Sequence, residues 1–275
     1  MVDVIISVYG KPYHTLCTLK SLLEQSGEHI DKIYLIEEKQ QPYGDSIKFI
    51  YQYFGDRLVT YIPNEYKLQY DKTPTDKFAI RYQYGFENSD KKYVFITHND
   101  VLYTKDIVSD MLSGIGESVG IGLIGMCWNC PAYLLHECDN TRVQDYKPTY
   151  EEVLRLNSIN TGSNRTLSHL DKEHPYPLPE CRLNEFACLV NKEITNMECE
   201  NGTPYFGLNA GADTACGWFK SLFLKGYKFK QYDISQSCHH GYWANTAGHP
   251  ISLNETKYKE AELNAKNYFN ENFNK

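Results

Sequence analysis

An alternation of short apolar runs with helical patterns fills the first 126 residues, and it restricts the fold more than any figure of composition. Val4-Ile-Ile-Ser-Val8 is a strand-like run, broken by Gly10 and Pro12. Leu16, Leu19, Leu22 and Leu23 then recur at helical spacing, with Gly27 placed as a C-terminal cap. Ile33-Tyr-Leu-Ile36 predicts a second strand closing in Glu37 and Glu38, followed by a helix over Ser46 to Tyr53 that stops near Gly55. Leu58 to Ile62 predicts a third strand, Thr75 to about Asn88 a third helix, and Tyr93 to Ile96 a fourth strand. This order implies right-handed crossovers and a mostly parallel sheet covered on both faces, an α/β Rossmann-like architecture.

The second half is less regular. A helix is expected around Thr104 to Leu112 and a strand over Ile121 to Met126. From Trp128 to about Arg182 the pattern dissolves into a polar stretch rich in Asn, Pro and His, with one helix predicted over Thr149 to Leu156. A connection of that size inside a domain is usually functional or a lid. Strands follow at Phe186 to Val190 and Tyr227 to Tyr232, with a helix from about Asp213 to Leu224 between them. Ser252-Leu-Asn-Glu255 has the form of a capping box, and Tyr258, Ala261, Ala265, Tyr268 and Phe269 make the apolar stripe of a terminal helix. No repeat or low-complexity linker interrupts the chain, so one domain over 1–275 is expected, with a ligand-binding half at 1–126 and a more irregular half at 127–275.

Composition excludes some function classes. The net charge of −7 lacks the basic surface that a phosphate-backbone binder needs, so no nucleic-acid partner is expected. No apolar run approaches the ~18 residues of a membrane helix. Val2 to Val8 is too short, and lacks the basic leader, for a signal peptide. Nine cysteines, an odd number, are expected to stay reduced in a cytoplasmic setting.

The chemistry-bearing residues gather at predicted strand ends. Tyr93-Val-Phe-Ile-Thr runs into His98, Asn99 and Asp100, and open α/β sheets bind ligands at the carboxyl ends of their strands. Asn and Asp also serve as ordinary turn residues. Asp100 is a hard oxygen ligand suited to Mg²⁺ or Mn²⁺. Asp213 follows a Gly-rich approach, Gly207-Leu-Asn-Ala-Gly-Ala, and reads either as a general base or as a first-turn helix acid. His239-His240 offers one imidazole to a site if the segment is extended, because neighbouring strand residues face opposite ways. Glu37 and Glu38 end the second strand, where an acid often contacts ribose hydroxyls; a solvated charge pair is the alternative. Cys127, Cys130, His136 and Cys138 have the residue types of a structural zinc site, with Cys181 a further option, but the usual second pair at longer spacing is missing and reduced thiols are expected.

Together these segments resemble the family 2 glycosyltransferases of the GT-A fold. The resemblance is carried by Val4 to Gly10 with Leu16 to Ser26, by Tyr93 to Asp100 as an apolar strand ending in a DXD-type motif, and by Phe186-Ala-Cys-Leu-Val-Asn-Lys-Glu193. It continues in Asp213-Thr with Trp218-Phe-Lys and Gly226-Tyr-Lys228, and in the His239-His240 segment. It covers most of the chain outside 128–182. The sequence departs from the family pattern at His98, where the motif's first Asp stands, at Ala212 in place of a Glu, at Ser7 and Gly10, and in the Glu pair after the second strand.

The resemblance implies a mostly parallel GT-A sheet flanked by helices, an irregular acceptor-side insertion and a C-terminal helix. It implies an inverting, hexosyltransferase-like enzyme that takes a sugar from a nucleotide-diphosphate donor, UDP-sugars favoured, to a hydroxyl of a glycan or glycolipid. Asp100 would hold the metal with His239 or His240. Val8, Tyr9, Glu37, Glu38, His98 and Asn99 would line the donor pocket, Arg81 would approach the phosphates, and Asp213 would deprotonate the acceptor. The enzyme would be cytoplasmic, or peripheral at the inner face of the membrane. Two other readings stand beside it: a nucleotidyltransferase, for which Tyr9-Gly-Lys-Pro12 is a poor phosphate loop, and a non-catalytic glycan- or partner-binding protein, for which His98 and Ala212 speak.

Overall fold

The computed structural model describes residues 1–39, 41–63, 80–160, 167–207, 213–242, 251 and 253–274. A seven-stranded sheet runs in the order β3-β2-β1-β4-β7-β6-β8. Its strands are β1 (Val2–Val8), β2 (Ile30–Glu37), β3 (Leu58–Tyr61), β4 (Tyr93–Thr97), β6 (Gly120–Ile124), β7 (Leu183–Asn191) and β8 (Phe229–Gln231). Neighbours pair in parallel except along β7, which runs antiparallel to both β4 and β6. The mostly parallel sheet is therefore interrupted by one reversed strand near its middle. That reversal brings the segment after residue 182 back to the strand tips where β4 ends.

The alternation along β1 explains why the sheet needs cover on both faces. Val4, Ile6 and Val8 point into one core with Leu16, Leu19 and Leu22 of α1 (Pro12–Ser26). Ile5 points into the other, with Tyr82 and Phe86 of α2 (Ile80–Asn88). Period-two alternation, apolar on both sides, is what a sheet buried between helices requires. Gly85 lets α2 lie close: a Cβ there would stand 2.6 Å from Ile5 Cγ1. On the first face α3 (Ile107–Gly114) joins α1. On the second, Trp218, Phe219 and Leu222 of the helix Cys216–Leu224 are fully buried.

The stretch after β6 holds α4 (Pro131–Leu134) and α5 (Tyr150–Ile159), the latter closed by a capping box between Thr149 and Glu152. Its own apolar cluster is small: Cys130, Ala132, Val153, Leu156 and Leu178. Then follow α6 (Lys192–Glu200), α7 (Cys216–Leu224) and α8 (Glu255–Asn272).

Several boundaries differ from the sequence expectation for local reasons. The stretch over Ser46 to Tyr53 is a 3-10 helix from Lys48, not an α-helix. The helix expected from Thr104 starts at Ile107, where the Asp106 side chain accepts from Ser109 N as its cap. The helix expected from Asp213 starts at Cys216, because Ala215 takes a left-handed backbone (φ 66°) and ends the loop. Helix α6 went unpredicted, although Asn191 caps it by accepting from Ile194 N. The terminal helix is capped by Asn254, which accepts from Lys257 N. Ser252 of the expected capping box lies outside the described residues, as do 75–79 of the third expected helix. Among the described residues no helix is long and apolar enough to cross a membrane.

Candidate active site and metal-binding group

Beyond the tip of β4 the chain makes a second, smaller ladder that no periodicity announced. β5 (Val101–Tyr103) pairs antiparallel with β9 (Cys238–His240), and Val101 stands opposite His240. The other edge of β5 is closed by helix α1. Val101 N donates to Thr18 Oγ1 and Tyr103 N to Ser21 Oγ, each at 3.1 Å. Residues 98–100 are thereby fixed at both ends, by β4 before them and by β5 after.

His98, Asp100 and His240 meet at this junction. Each offers one ligand atom, and the three atoms lie within 4.8 Å of one another; among the described residues no other group of His, Cys, Asp and Glu does so. His240 Nε2 is 3.4 Å from Asp100 Oδ1. The His240 ring stacks on Phe186, with centroids 4.2 Å apart and planes 5° from parallel, which fixes its orientation. The carboxylate is buried while both imidazoles are about a quarter to a third exposed, so the group is approachable from the imidazole side. Two imidazoles and one carboxylate make a donor set for a divalent cation. His239 is not part of the group; it sits opposite Leu102 and is exposed.

The other oxygen of Asp100 is held by a residue the sequence reading passed over. Lys11 Nζ donates to Asp100 Oδ2 at 2.8 Å, and both side chains are almost wholly buried. Burial by itself would raise the Asp100 carboxyl, but the hydrogen bond from His240 and the Lys11 charge outweigh it and hold it well below the usual carboxylate range. Lys11 reaches this position through a left-handed backbone (φ 55°) at the start of α1. Its N–H donates to Tyr258 Oη of α8 at 2.7 Å. Gly10 has φ +67°, and a Cβ there would stand 2.6 Å from the same Tyr258 Oη. The loop after β1 is thus pressed between β4 and the terminal helix.

Beside this group lies a pocket of about 580 Å³ lined by Ser7, Tyr9, Lys11, Arg81, His98 and Asn99, with Tyr82 behind them. It lies where ligands bind in open α/β sheets, at the carboxyl ends of β1 and β4. The remaining expected donor residues are placed unequally around it. Arg81 Nε donates to Glu38 Oε1 at 2.7 Å, so Glu38 orients the guanidinium at the rim. Glu37 is buried and accepts from Tyr51 Oη at 2.5 Å, away from the pocket lining. Asn99 donates through Nδ2 to Gly10 O and Thr15 Oγ1, both at 3.1 Å, and so braces the loop it lines. The Val8 side chain is in the core.

A line of charged contacts runs from the histidines to Asp213. His98 Nε2 is 3.4 Å from Glu185 Oε1, Arg182 Nη1 donates to Glu185 Oε2 at 2.5 Å, and Arg182 Nη2 is 3.5 Å from Asp213 Oδ2. Arg182 Nη1 also donates to Thr214 O at 2.9 Å. Burial would raise the Glu185 carboxyl, but the Arg182 charge and the His98 hydrogen bond bring it down to about 2. Asp213 is in the bend before α7 and partly exposed. The Gly-rich approach over 208–212, Ala212 included, lies outside the described residues.

Lys11, Arg182 and Glu185 were the functional candidates missed. For the last two a signal existed: an Arg and a Glu three apart at the start of a strand otherwise apolar over Phe186 to Val190. The zinc set is only partly assembled. Cys127, Cys130 and Cys138 border one cavity, but His136 is exposed and absent from its lining. All nine cysteines are free thiols.

No family model matches the chain, and no curated protein sequence does. Solved structures do match. Mannosyltransferase PcManGT from Pyrobaculum calidifontis, determined in complex with GDP-Man and Mn²⁺, superposes over 98% of this chain and 75% of its own, at 11% identity and a TM-score of 0.52. S. aureus TarS 1–349 in complex with UDP-GlcNAc covers 98% and 67% at 13% identity, with a TM-score of 0.48. The galactosyltransferase LgtC, in complex with donor and acceptor sugar analogs, covers 85% and 74% at 12% identity, with a TM-score of 0.43. Likeness at this identity speaks for architecture: a central sheet with one reversed strand, flanking helices and a C-terminal helix. The chain has the fold of the GT-A glycosyltransferases.

Proposed function

We propose that this protein is a metal-dependent inverting glycosyltransferase that moves a hexose from a nucleotide-diphosphate sugar, a UDP-sugar in the favoured case, to a hydroxyl of a glycan or glycolipid. The observation that carries the reading is the His98–Asp100–His240 group beside the pocket at the carboxyl ends of β1 and β4. A cytoplasmic location, peripheral at the inner membrane face when the acceptor is a glycolipid, goes with it.

The residues fit a divalent metal. Asp100 Oδ1 faces His240, while Oδ2 is occupied by Lys11, so the carboxylate offers one oxygen together with two imidazole nitrogens. Mn²⁺ or Mg²⁺ held there would act as a Lewis acid and draw off charge from the leaving diphosphate. Lys11 contributes a second, permanent positive charge in the same pocket. In a chain of net charge −7, these cations are what admits a doubly anionic donor. Tyr9 lines the nucleoside end of the pocket, with Asn99 bracing its floor. Arg81, oriented by Glu38, approaches the phosphates.

Asp213 acts as the base. Its carboxylate takes the proton of the acceptor hydroxyl as that oxygen bonds to the anomeric carbon. The bond from that carbon to the diphosphate oxygen breaks with its electron pair leaving on the diphosphate. One displacement inverts the anomeric centre. Arg182 holds the Asp213 carboxylate in place.

The test is titration of the purified chain with UDP- and GDP-sugars with and without Mn²⁺, followed by product analysis. Donor binding that requires Mn²⁺ and a product of inverted configuration are expected. Binding indifferent to EDTA, or no binding of any nucleotide, overturns the metal role; a retained configuration overturns the single displacement.

A further inference from the structure

We propose that Cys127, Cys130, Cys138 and Cys181 bind one zinc ion as four thiolates and thereby tie the irregular 127–182 segment to the sheet. Four of the chain's nine cysteines border one cavity of about 280 Å³ on this segment. Three come from the start of the segment. The fourth comes from its far end, fifty positions along the chain. Backbone pairing makes the approach: Gly125 N donates to Arg182 O at 2.7 Å and Met126 N to Glu180 O at 2.8 Å, which sets Cys181 beside Cys127. The position expected of His136 is filled by Cys181, so the donor set is uniform in sulfur, the softest set a structural zinc takes.

Burial pushes the Cys127 and Cys138 thiols up to about 11 and the Cys130 thiol up to about 12, so the protons would leave only as the ion binds. Cys127 begins a 3-10 turn, and Cys130 N closes it by donating to Cys127 O at 3.1 Å, which puts two sulfurs on one short bend. The backbone N–H groups near Tyr133 and Ala132 lower the Cys130 thiol, against the larger rise from burial. Donors to the sulfur stabilise its charged form and position the ligand for a metal. Arg142 lies near enough to Cys138 to offset part of the charge. No three of the four sulfurs lie within 4.8 Å of one another, so the ion would have to draw them in to bonds of about 2.3 Å.

The reaction balances simply. Four cysteine thiols release four protons to solvent and one Zn²⁺ takes four Zn–S bonds, leaving a centre of charge −2, with no oxidant or reductant required. The segment needs such a tie because its apolar cluster, five buried residues for more than fifty in the segment, is thin. The tie reaches the active-site line as well, since Cys181 is bonded in sequence to Arg182, which holds Asp213.

The experiment is metal analysis of the full chain purified under reducing conditions. About one zinc per chain is expected, released by a thiol-specific mercurial and retained in His240→Ala. The double variant Cys138→Ser/Cys181→Ser is expected to lose it. A folded chain that takes up no zinc, a zinc lost in His240→Ala but kept in the double cysteine variant, or a chain two hydrogens lighter through a disulfide would each overturn the proposal. Should the double variant fail to fold, cobalt substitution of the parent decides: a thiolate-to-cobalt charge-transfer band is expected, and its absence overturns the site.

Discussion

Among the described residues, the His98–Asp100–His240 group and the four cysteines around one cavity are built in opposite ways. His98 and Asp100 lie between the paired strands β4 and β5, and His240 on the partner of β5, so their ligand atoms are already together without an ion. Cys127, Cys130, Cys138 and Cys181 stand on turns of a segment with a thin core, and their sulfurs are farther apart. The first group also carries its own counter-charge in Lys11, which spares Asp100 the full cost of burial when no metal is bound. A site assembled in advance can accept and release an ion as substrate comes and goes. A site assembled by its ion folds with it. Stripping metal from the first should therefore cost activity, and from the second, shape.

The predictions set these two behaviours against each other. The largest effect belongs to Asp213→Asn, which should lower transfer by about 10²–10⁴-fold while Mn²⁺-dependent donor binding persists; product formation at the parent rate would remove Asp213 as the base. Lys11→Met leaves the buried Asp100 carboxylate without its ammonium and should lower unfolding stability by about 3–5 kcal/mol in metal-free protein. Chemical denaturation should show part of that loss recovered with Mn²⁺, by about 2.7 kcal/mol at a hundredfold excess over the dissociation constant. No recovery would mean that the ion does not bind at Asp100. Glu185→Gln, which weakens the acceptor beside His98, should loosen Mn²⁺ by about 10- to 100-fold by calorimetry without touching zinc content. Smallest of all is His239→Ala, expected within about 0.5 kcal/mol of the parent in stability and unchanged in Mn²⁺ affinity, whereas His240→Ala should abolish Mn²⁺ binding. Equal losses from the two would break the assignment. If dialysis that removes Mn²⁺ and leaves zinc in place lowered the melting temperature as much as mercurial treatment, the contrast between the two clusters would itself be wrong.

What could be read from the sequence divides along the same line. Apolar periodicity gave the β1–α1–β2 and β4 elements and the terminal helix, because burial on two faces leaves a local pattern in Val4, Ile5 and Ile6 or in Tyr258, Ala261 and Ala265. The position of Asp100 at a strand tip followed from the same logic. The meaning of His98 did not. Read alone it weakened a carboxylate motif; in the structure it faces His240 and Glu185, which lie about 140 and 90 residues away in sequence. The β5–β9 ladder has three residues a strand, too few for any period to show. In the sequence Lys11 is only part of a poor phosphate loop, Tyr9-Gly-Lys-Pro12; the left-handed turn at its own backbone brings it to Asp100. The reversed β7 was equally silent, since an antiparallel and a parallel buried strand share one apolar pattern.

The terminal helix has a consequence for when the site exists. Tyr258 accepts from Lys11 N, Glu262 accepts from Tyr13 N at 2.8 Å and pairs with His14, and Cys17 donates to Ala265 O at 3.4 Å. The loop that delivers Lys11 to Asp100 is thus held from the far end of the chain. A ribosome that has finished the sheet has not yet finished the active site. Until residues 258–265 emerge, Lys11 lacks the contact that fixes its turn.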